Sequence, residues 1–276
     1  MSRLFAAAIV LLLGDVAAAT PIRVPVDQTQ SSVTVTLCIA GRCDADTSPV
    51  TGELWIQLAP LETPASLTLY DFTFALTETL QFNISWGFLG NFAATGSNIT
   101  LLYATPFVPH PPAAVTGGAF TCANVPALTT GTMSYTATGV PCAALQGAGK
   151  PCTDSVNLAD QGVQTGDLAG TVSVSPARVV TVVMQPNFSG PLDPQNPSLG
   201  TITVTGTVRG AVAVPLRGDV NLDGVVDGRD VAAFAAVLLQ PDGFAWPERF
   251  AADLNDDQLF DAADTALFIA ALLGVE

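Results

Sequence analysis

Residues 219–230 read Asp-Val-Asn-Leu-Asp-Gly-Val-Val-Asp-Gly-Arg-Asp, and this stretch decides the fold of the C-terminal part of the chain. Calcium is a hard cation that takes about six to eight oxygen ligands, and a twelve-residue loop supplies them from positions 1, 3, 5, 7, 9 and 12. Those positions carry Asp219, Asn221, Asp223, Val225, Asp227 and Asp230. The backbone carbonyl serves at position 7, and Gly224 stands at position 6, where such a loop turns sharply. The stretch therefore predicts a calcium-binding loop.

A second copy of this pattern follows further along the chain, at residues 253–264. Its equivalent positions carry Asp253, Asn255, Asp257, Leu259, Asp261 and Asp264. Gln258 replaces the glycine at position 6, which predicts a strained turn or a weaker second site. Acidic surface turns are often rich in Asp, Asn and Gly, so one such loop alone would be weak evidence. Two copies predict two bound calcium ions.

The spacing of apolar residues becomes helical after each loop, which indicates an internal duplication. The positions expected on one helical face are Val231, Phe234, Ala235 and Leu238 in the first copy and Phe268, Ile269 and Leu272 in the second. The C-terminal segment is also acidic, because 12 of the 24 acidic residues fall between residues 219 and 276. We therefore expect a small α-helical module with a double calcium loop over residues 213–276.

The preceding part of the chain alternates apolar and polar residues with the period of a β-strand. In residues 31–39, Val33, Val35, Leu37 and Ile39 share one face. Further strand candidates are residues 52–58, 66–76, 79–86, 97–103, 131–138, 170–175, 179–184 and 201–208. Many short strands without intervening helices favour an antiparallel β-sandwich or jelly-roll domain. This domain is expected over residues 20–212, so the whole chain is predicted to be mainly β.

The first 19 residues have the features of a signal peptide. Arg3 gives a basic start, residues 4–14 are apolar, and residues 17–19 are three alanines suited to cleavage. A retained membrane anchor is the alternative, although a bilayer span needs about 20 apolar residues. Signal cleavage predicts an exported protein, secreted or at the cell surface, with no transmembrane anchor in the mature chain.

Five cysteines would then meet an oxidising environment, in which nearby pairs close. The shortest separations pair Cys38 with Cys43 and Cys142 with Cys152, which leaves Cys122 free. The odd count also allows Cys122 to displace one of these partners.

The formal net charge of −15 argues against nucleic acid as a partner, because binding a polyanion requires a basic surface. The only histidine, His110, lies among prolines and is expected in a loop. Cations are the small partners that this charge favours.

The β-domain offers few groups for catalysis, so the sequence favours a binding or structural role over an enzyme. Asp44 and Asp46 are expected in a solvated turn, and a glycoside hydrolase would need two suitably spaced carboxyl groups. Trp55, Tyr70 and Trp86 could stack on sugar rings, although core packing is the commoner role of such residues. Trp86 adjoins an expected turn and is the best candidate of the three for binding polysaccharide.

The double loop, its closing aspartates and the helix after each loop resemble a dockerin type I domain over about residues 217–276. The resemblance implies that no helix precedes either loop and that the module docks onto a cohesin domain. The family often has Ser-Thr at loop positions ten and eleven, where this chain has residues 228–229, Gly-Arg, and residues 262–263, Ala-Ala. The chain could thus belong to a polysaccharide-degrading assembly, or the module could serve as a calcium-stabilised end cap.

Overall fold

A computed structural model describes residues 20–192 and 196–274 of the chain. The predicted signal peptide, residues 1–19, lies outside the described residues. The described chain forms two compact units, a larger one from Pro21 to Pro215 and a smaller one that begins at Leu216. No helix within these residues is long and apolar enough to cross a membrane.

The larger unit is built from strands that pair only in the antiparallel sense, as the period-two pattern predicted. Its strands are β1 (Ile22–Pro25), β2 (Ser32–Ile39), β3 (Arg42–Ala59), β4 (Ser66–Leu76), β5 (Leu80–Ser85), β6 (Asn91–Tyr103), β7 (Ala113–Ala114), β8 (Ala119–Ala137), β9 (Thr153–Asn157), β10 (Val163–Val174), β11 (Val179–Met184), β12 (Asn187–Pro191) and β13 (Gly200–Ala213). One helix, α1 (Gly139–Gly147), follows β8. The predicted mainly β fold is confirmed.

Strand pairing in this unit forms a closed circuit. It runs from β3 through β2, β13, β11, β10, β8, β6 and β4, and β4 pairs again with β3. Closure is possible because the longest strands pair with different neighbours along their length. The first half of β3 pairs with β2, whereas its second half pairs with β4. The eight strands of the circuit thus pair on both sides, whereas β1, β5, β7, β9 and β12 each pair with one neighbour.

The alternation seen in the sequence sets which face of each strand is buried. Val33, Val35, Leu37 and Ile39 of β2 are all buried, as predicted, while the residues between them are partly exposed. On the other face, the hydroxyl groups of Thr34 and Thr47 lie 2.8 Å apart across β2 and β3. A one-residue shift would turn every apolar side chain to solvent, so this pattern fixes the register.

Two disulfides form as the economical pairing predicted. One joins Cys38 to Cys43 across the β2–β3 hairpin, and the other joins Cys142 of α1 to Cys152 just before β9. Cys122 is a free, buried thiol on β8.

Asp44 and Asp46 do not lie in a solvated turn, and that expectation was wrong. Both belong to β3, and their carboxylates accept hydrogen bonds from the backbone N–H groups of Asn83 and Gln81, each at 2.7 Å. The two carboxylates thus satisfy backbone N–H groups of β5, a strand that pairs with β6 only. Such groups would otherwise lack a partner within the sheet.

The smaller unit contains three helices, α2 (Asp230–Leu239), α3 (Trp246–Ala252) and α4 (Ala262–Leu273). Its core consists of Val220, Phe234, Val237, Ala251, Ala252 and Phe268. The helices that follow the two loops therefore pack on one shared apolar cluster.

Two expectations for this unit need correction. Helix α3 ends directly before the second loop, so the absence of a preceding helix holds only for the first. The buried face of α2 is formed by Phe234 and Val237, whereas Val231 and Ala235 are exposed, as is Ile269 of α4. Helices rich in Ala, Val and Leu are apolar all round, so their periodicity does not single out one face.

Candidate metal centre

The first residue of each loop is a buried aspartate held by two backbone amides. The carboxylate of Asp219 accepts from the N–H groups of Asp223 and Gly224 at 3.0 and 2.9 Å. Asp253 accepts in the same way from the equivalent amides of the second loop, at 3.1 and 3.0 Å. Exposure is 3% for Asp219 and 0% for Asp253. Burial raises the pKa of Asp253 above its ordinary value.

The last residue of each loop is a second buried aspartate that closes the loop. Asp230 accepts from the N–H groups of Asn221 and Asp227 at 3.0 and 2.9 Å. Asp264 makes the matching bonds in the second loop at 3.3 and 3.1 Å. Neither Asp230 nor Asp264 is measurably exposed. Two carboxylates buried at the ends of each loop are costly unless positive charge compensates them.

The middle of each loop consists of Asx turns, in which a side-chain oxygen accepts the N–H two residues on. The donor–acceptor pairs are Asp223–Asn221, Val225–Asp223 and Arg229–Asp227 in the first loop and Asp257–Asn255, Leu259–Asp257 and Ala263–Asp261 in the second, at 2.7–3.2 Å. The hydrogen bonds of the Asx turns and of the end aspartates in the first loop therefore recur at the equivalent positions of the second. The two loops are duplicated in backbone geometry as well as in sequence.

The backbone turns in the same places in both loops. At position 6, Gly224 has a φ of +88° and Gln258 a φ of +64°. At position 4, Leu222 and Asp256 also have positive φ, +62° and +61°. Gln258 thus adopts the left-handed conformation that glycine would tolerate better.

The loops differ in how arginines contact them. In the first loop, the guanidinium of Arg229 pairs with Asp223 and Asp227. In the second, Arg217 pairs with Asp256, donates to the carbonyls of Phe250 and Asp253, and lies 3.7 Å from the centroid of the Phe250 ring. Sequence reasoning did not identify these contacts, because each depends on a side chain that reaches across the folded loop.

The donor set fits a hard divalent cation. Each loop offers carboxylates, an amide oxygen and a backbone carbonyl, which are the ligand types that calcium prefers. In the parts of the chain that the structure describes, no three acidic, histidine or cysteine side chains are gathered into a metal cluster. The carboxylates are instead positioned singly by the loop backbone, and both loops position them alike.

The three aromatic residues considered for sugar stacking lie in different settings. Tyr70 is buried, and its hydroxyl donates to Gln57 at 3.0 Å. Trp55 is partly buried, and its indole N–H donates to Glu53 at 2.8 Å. Trp86 is partly buried and precedes a short turn in which Phe88 is 98% exposed. Tyr70 is therefore a core residue, whereas Trp86 adjoins an exposed aromatic tip.

Two metal-binding-type loops, each followed by a helix and packed on one apolar core, define a small helical double-loop module. Residues 217–273 match the family model of the dockerin type I domain. The smaller unit is therefore a dockerin type I domain, and the match covers this unit only. Dockerin type I domains bind calcium in general and interact with cohesin. A comparison with curated proteins found no match for the chain.

Proposed function

We propose that this chain is an exported component of a calcium-dependent extracellular assembly. The dockerin unit binds two calcium ions and docks onto a cohesin domain, and the β-unit has a binding or structural role. Residues 1–19 act as the signal peptide, residues 20–212 form the β-domain, and residues 213–276 form the calcium-binding domain.

One calcium ion is held by each loop. The proposed ligands are Asp219, Asn221, Asp223, Val225, Asp227 and Asp230 in the first loop and Asp253, Asn255, Asp257, Leu259, Asp261 and Asp264 in the second. Bound calcium supplies positive charge to the carboxylates of each loop, and a ligand that binds only the folded state stabilises that state.

The observation that carries the proposal is the hydrogen-bond pattern that the two loops share position by position. Chance Asp-rich turns would have no reason to hold buried carboxylates at both ends in the same geometry. Each pair of end residues, such as Asp219 and Asp230, is buried although an ionised carboxylate prefers water. A cation-binding role explains why both loops accept this cost.

Docking is supported by apolar side chains that the dockerin unit leaves exposed on its helices. They are Val231 and Leu239 on α2 and Leu267, Ile269 and Leu273 on α4, with exposures of 44–86%. Exposed apolar side chains concentrated on two short helices are typical of a surface that another protein covers.

Calcium binding is tested by calorimetric titration of the full chain and of Asp219→Asn and Asp253→Asn variants. We expect two ions for the wild type and one for each variant, because each change removes one carboxylate at the first position of a loop. Asp160→Asn, a change in the β-unit, is the matched control and should leave two ions. If the wild type binds no calcium at millimolar concentration, the proposal is wrong.

Docking is tested separately with an immobilised type I cohesin domain. We expect the full chain to bind in calcium and to wash off in EDTA. If the chain binds two calcium ions but no cohesin, docking is contradicted and the module serves as a calcium-stabilised end cap.

Carbohydrate recognition by the β-unit is the second candidate. The outer face of β6, β8 and β9 forms an open cleft of about 520 Å³ whose lining includes Thr95, Ser134, Thr136 and Ser155. The lining consists mainly of hydroxyl groups together with the carboxylate of Asp154, and such groups suit hydrogen bonding to the hydroxyls of a polysaccharide. Co-sedimentation with insoluble polysaccharides tests this role, and release of reducing sugar would instead indicate a glycoside hydrolase.

A further inference from the structure

Arg229, at position 11 of the first loop, lies across two of the proposed calcium ligands. Its Nη1 atom is 3.1 Å from Oδ2 of Asp223, and its Nη2 atom is 2.9 Å from Oδ2 of Asp227. Its Nε atom is 3.1 Å from the same oxygen of Asp227. One guanidinium therefore bridges loop positions 5 and 9.

In both carboxylates the other oxygen, Oδ1, accepts a backbone N–H. Oδ1 of Asp223 accepts from the N–H of Val225 at 3.1 Å, and Oδ1 of Asp227 accepts from the N–H of Arg229 itself at 2.8 Å. A cation that binds this loop through either carboxylate therefore meets a group that is already paired with a positive charge.

The second loop provides an internal comparison. Ala263 occupies position 11 there, so its side chain offers no charge to the carboxylates. Oδ2 of Asp257, the counterpart of the Asp223 oxygen, accepts from the side-chain amide of Asn255 at 2.8 Å. In the first loop the equivalent amide of Asn221 lies 3.5 Å from Oδ2 of Asp223, so the guanidinium is the contact that the second loop lacks at positions 5 and 9.

We propose that Arg229 is an internal counter-cation of the first loop, which pairs with Asp223 and Asp227 in the calcium-free chain and is released to solvent when calcium is bound. This inference rests on the proposed calcium binding. A guanidinium and a divalent cation repel each other, so each weakens the binding of the other to the carboxylates of Asp223 and Asp227. Arg229 therefore lowers the calcium affinity of the first loop.

The affinity is tested in full chains in which only one loop remains functional. With the second loop disabled by Asp253→Asn, adding Arg229→Gln should tighten calcium binding by about two- to fivefold, the range expected from loss of an exposed ion pair. With the first loop disabled by Asp219→Asn, the reciprocal change Ala263→Arg should weaken binding at the second loop by a similar factor. Unchanged affinities in both pairs would contradict competition.

Release of the guanidinium is tested in the wild-type chain by its reactivity towards phenylglyoxal, followed by peptide mass spectrometry. The modification rate of Arg229 should rise at least severalfold when calcium replaces EDTA. Arg23 is the control, because it pairs with Glu53 at 2.6 Å in the β-unit and its rate should not change.

The outcomes separate this inference from the proposal on which it rests. A chain that binds two calcium ions with the same Arg229 reactivity as in EDTA overturns the inference and leaves calcium binding intact. A chain that binds no calcium overturns both.

Discussion

The rings of Phe234 and Phe268 stack face to face, with centroids 4.1 Å apart and planes inclined by 15°. Each ring follows its loop by the same number of residues, so the contact joins equivalent positions of the two copies. Both side chains are only 3% exposed. The stack ties the two loops into one folding unit, because neither copy can bury its phenylalanine alone.

Replacing either phenylalanine with alanine should therefore weaken both copies. Burial of a large aromatic residue predicts a loss of about 3–5 kcal/mol in the free energy of unfolding. Hydrogen exchange of the full chain in calcium should show faster exchange of α2 and α4 amides in Phe234→Ala and Phe268→Ala alike. Leu239→Ala, at an 86% exposed position, is the control and should cost less than about 0.5 kcal/mol. Loss of protection confined to one helix would contradict the shared core.

Substituting glycine for Gln258 should strengthen the second loop. A non-glycine residue in the left-handed region costs roughly 1–2 kcal/mol, and the added flexibility of glycine offsets part of the gain. We expect Gln258→Gly to bind calcium up to about fivefold more tightly in a chain whose first loop is disabled.

The reverse change, Gly224→Ala, should weaken the first loop by a comparable factor. A Cβ atom at Gly224 meets no atom within 4 Å, so only the backbone conformation is changed. Equal affinities before and after both substitutions would show that the left-handed turn does not limit binding.

Replacement of Arg217 should destabilise the dockerin unit. Its guanidinium bonds to two carbonyls near the end of α3 and to Asp256, and it stacks on Phe250. Loss of these partly buried, charge-assisted bonds predicts a cost of about 1–3 kcal/mol for Arg217→Met. Arg217→Lys should recover only part of it, because lysine lacks the planar fork. Thermal unfolding of the full chains in calcium measures both, and an unchanged midpoint for Arg217→Met would refute the role.

The thiol of Cys122 should be inert in the folded chain. Burial raises its pKa to about 11, so the reactive thiolate is scarce below that pH. Iodoacetamide at pH 8 should label Cys122 only after the β-unit unfolds.

The same shift makes stability depend on pH in the alkaline range. The unfolded chain loses the thiol proton near pH 9 and the folded chain only near 11, so stability contributed by the buried thiol falls as the pH rises between these values. Replacing Cys122 with alanine should remove this part of the pH dependence. A native chain that is labelled rapidly at pH 8 would contradict the burial.

The sequence was sufficient where a feature is local. The two loops are contiguous segments, so their positions could be read from the spacing of their ligand residues, and the resemblance to a dockerin domain rested on the same local motifs. Strands β4 and β11 were predicted with the bounds observed, because β4 alternates apolar and polar residues, β11 is a short run rich in valine, and turn signals flank both.

Features that depend on distant partners were missed. The 18 residues of β3 pair with β2 and then with β4, and no local pattern marks the change of partner. The carboxylates of Asp44 and Asp46 were assigned to a turn because their hydrogen bonds reach β5, which lies beyond β4 in the chain. Helix α3 was missed because it has only seven residues and contains a proline, which in a sequence suggests a break in a helix. Proline is nevertheless tolerated in the first turn, where this one lies.

Counting the bound ions tests whether each loop holds one calcium ion. Native mass spectrometry of the full chain, purified in calcium with magnesium as competitor, resolves integral metal occupancy. We expect two calcium ions per chain, reduced to one in Asp230→Asn and in Asp264→Asn. A wild-type chain that carries no calcium, or an occupancy that neither substitution changes, would contradict it.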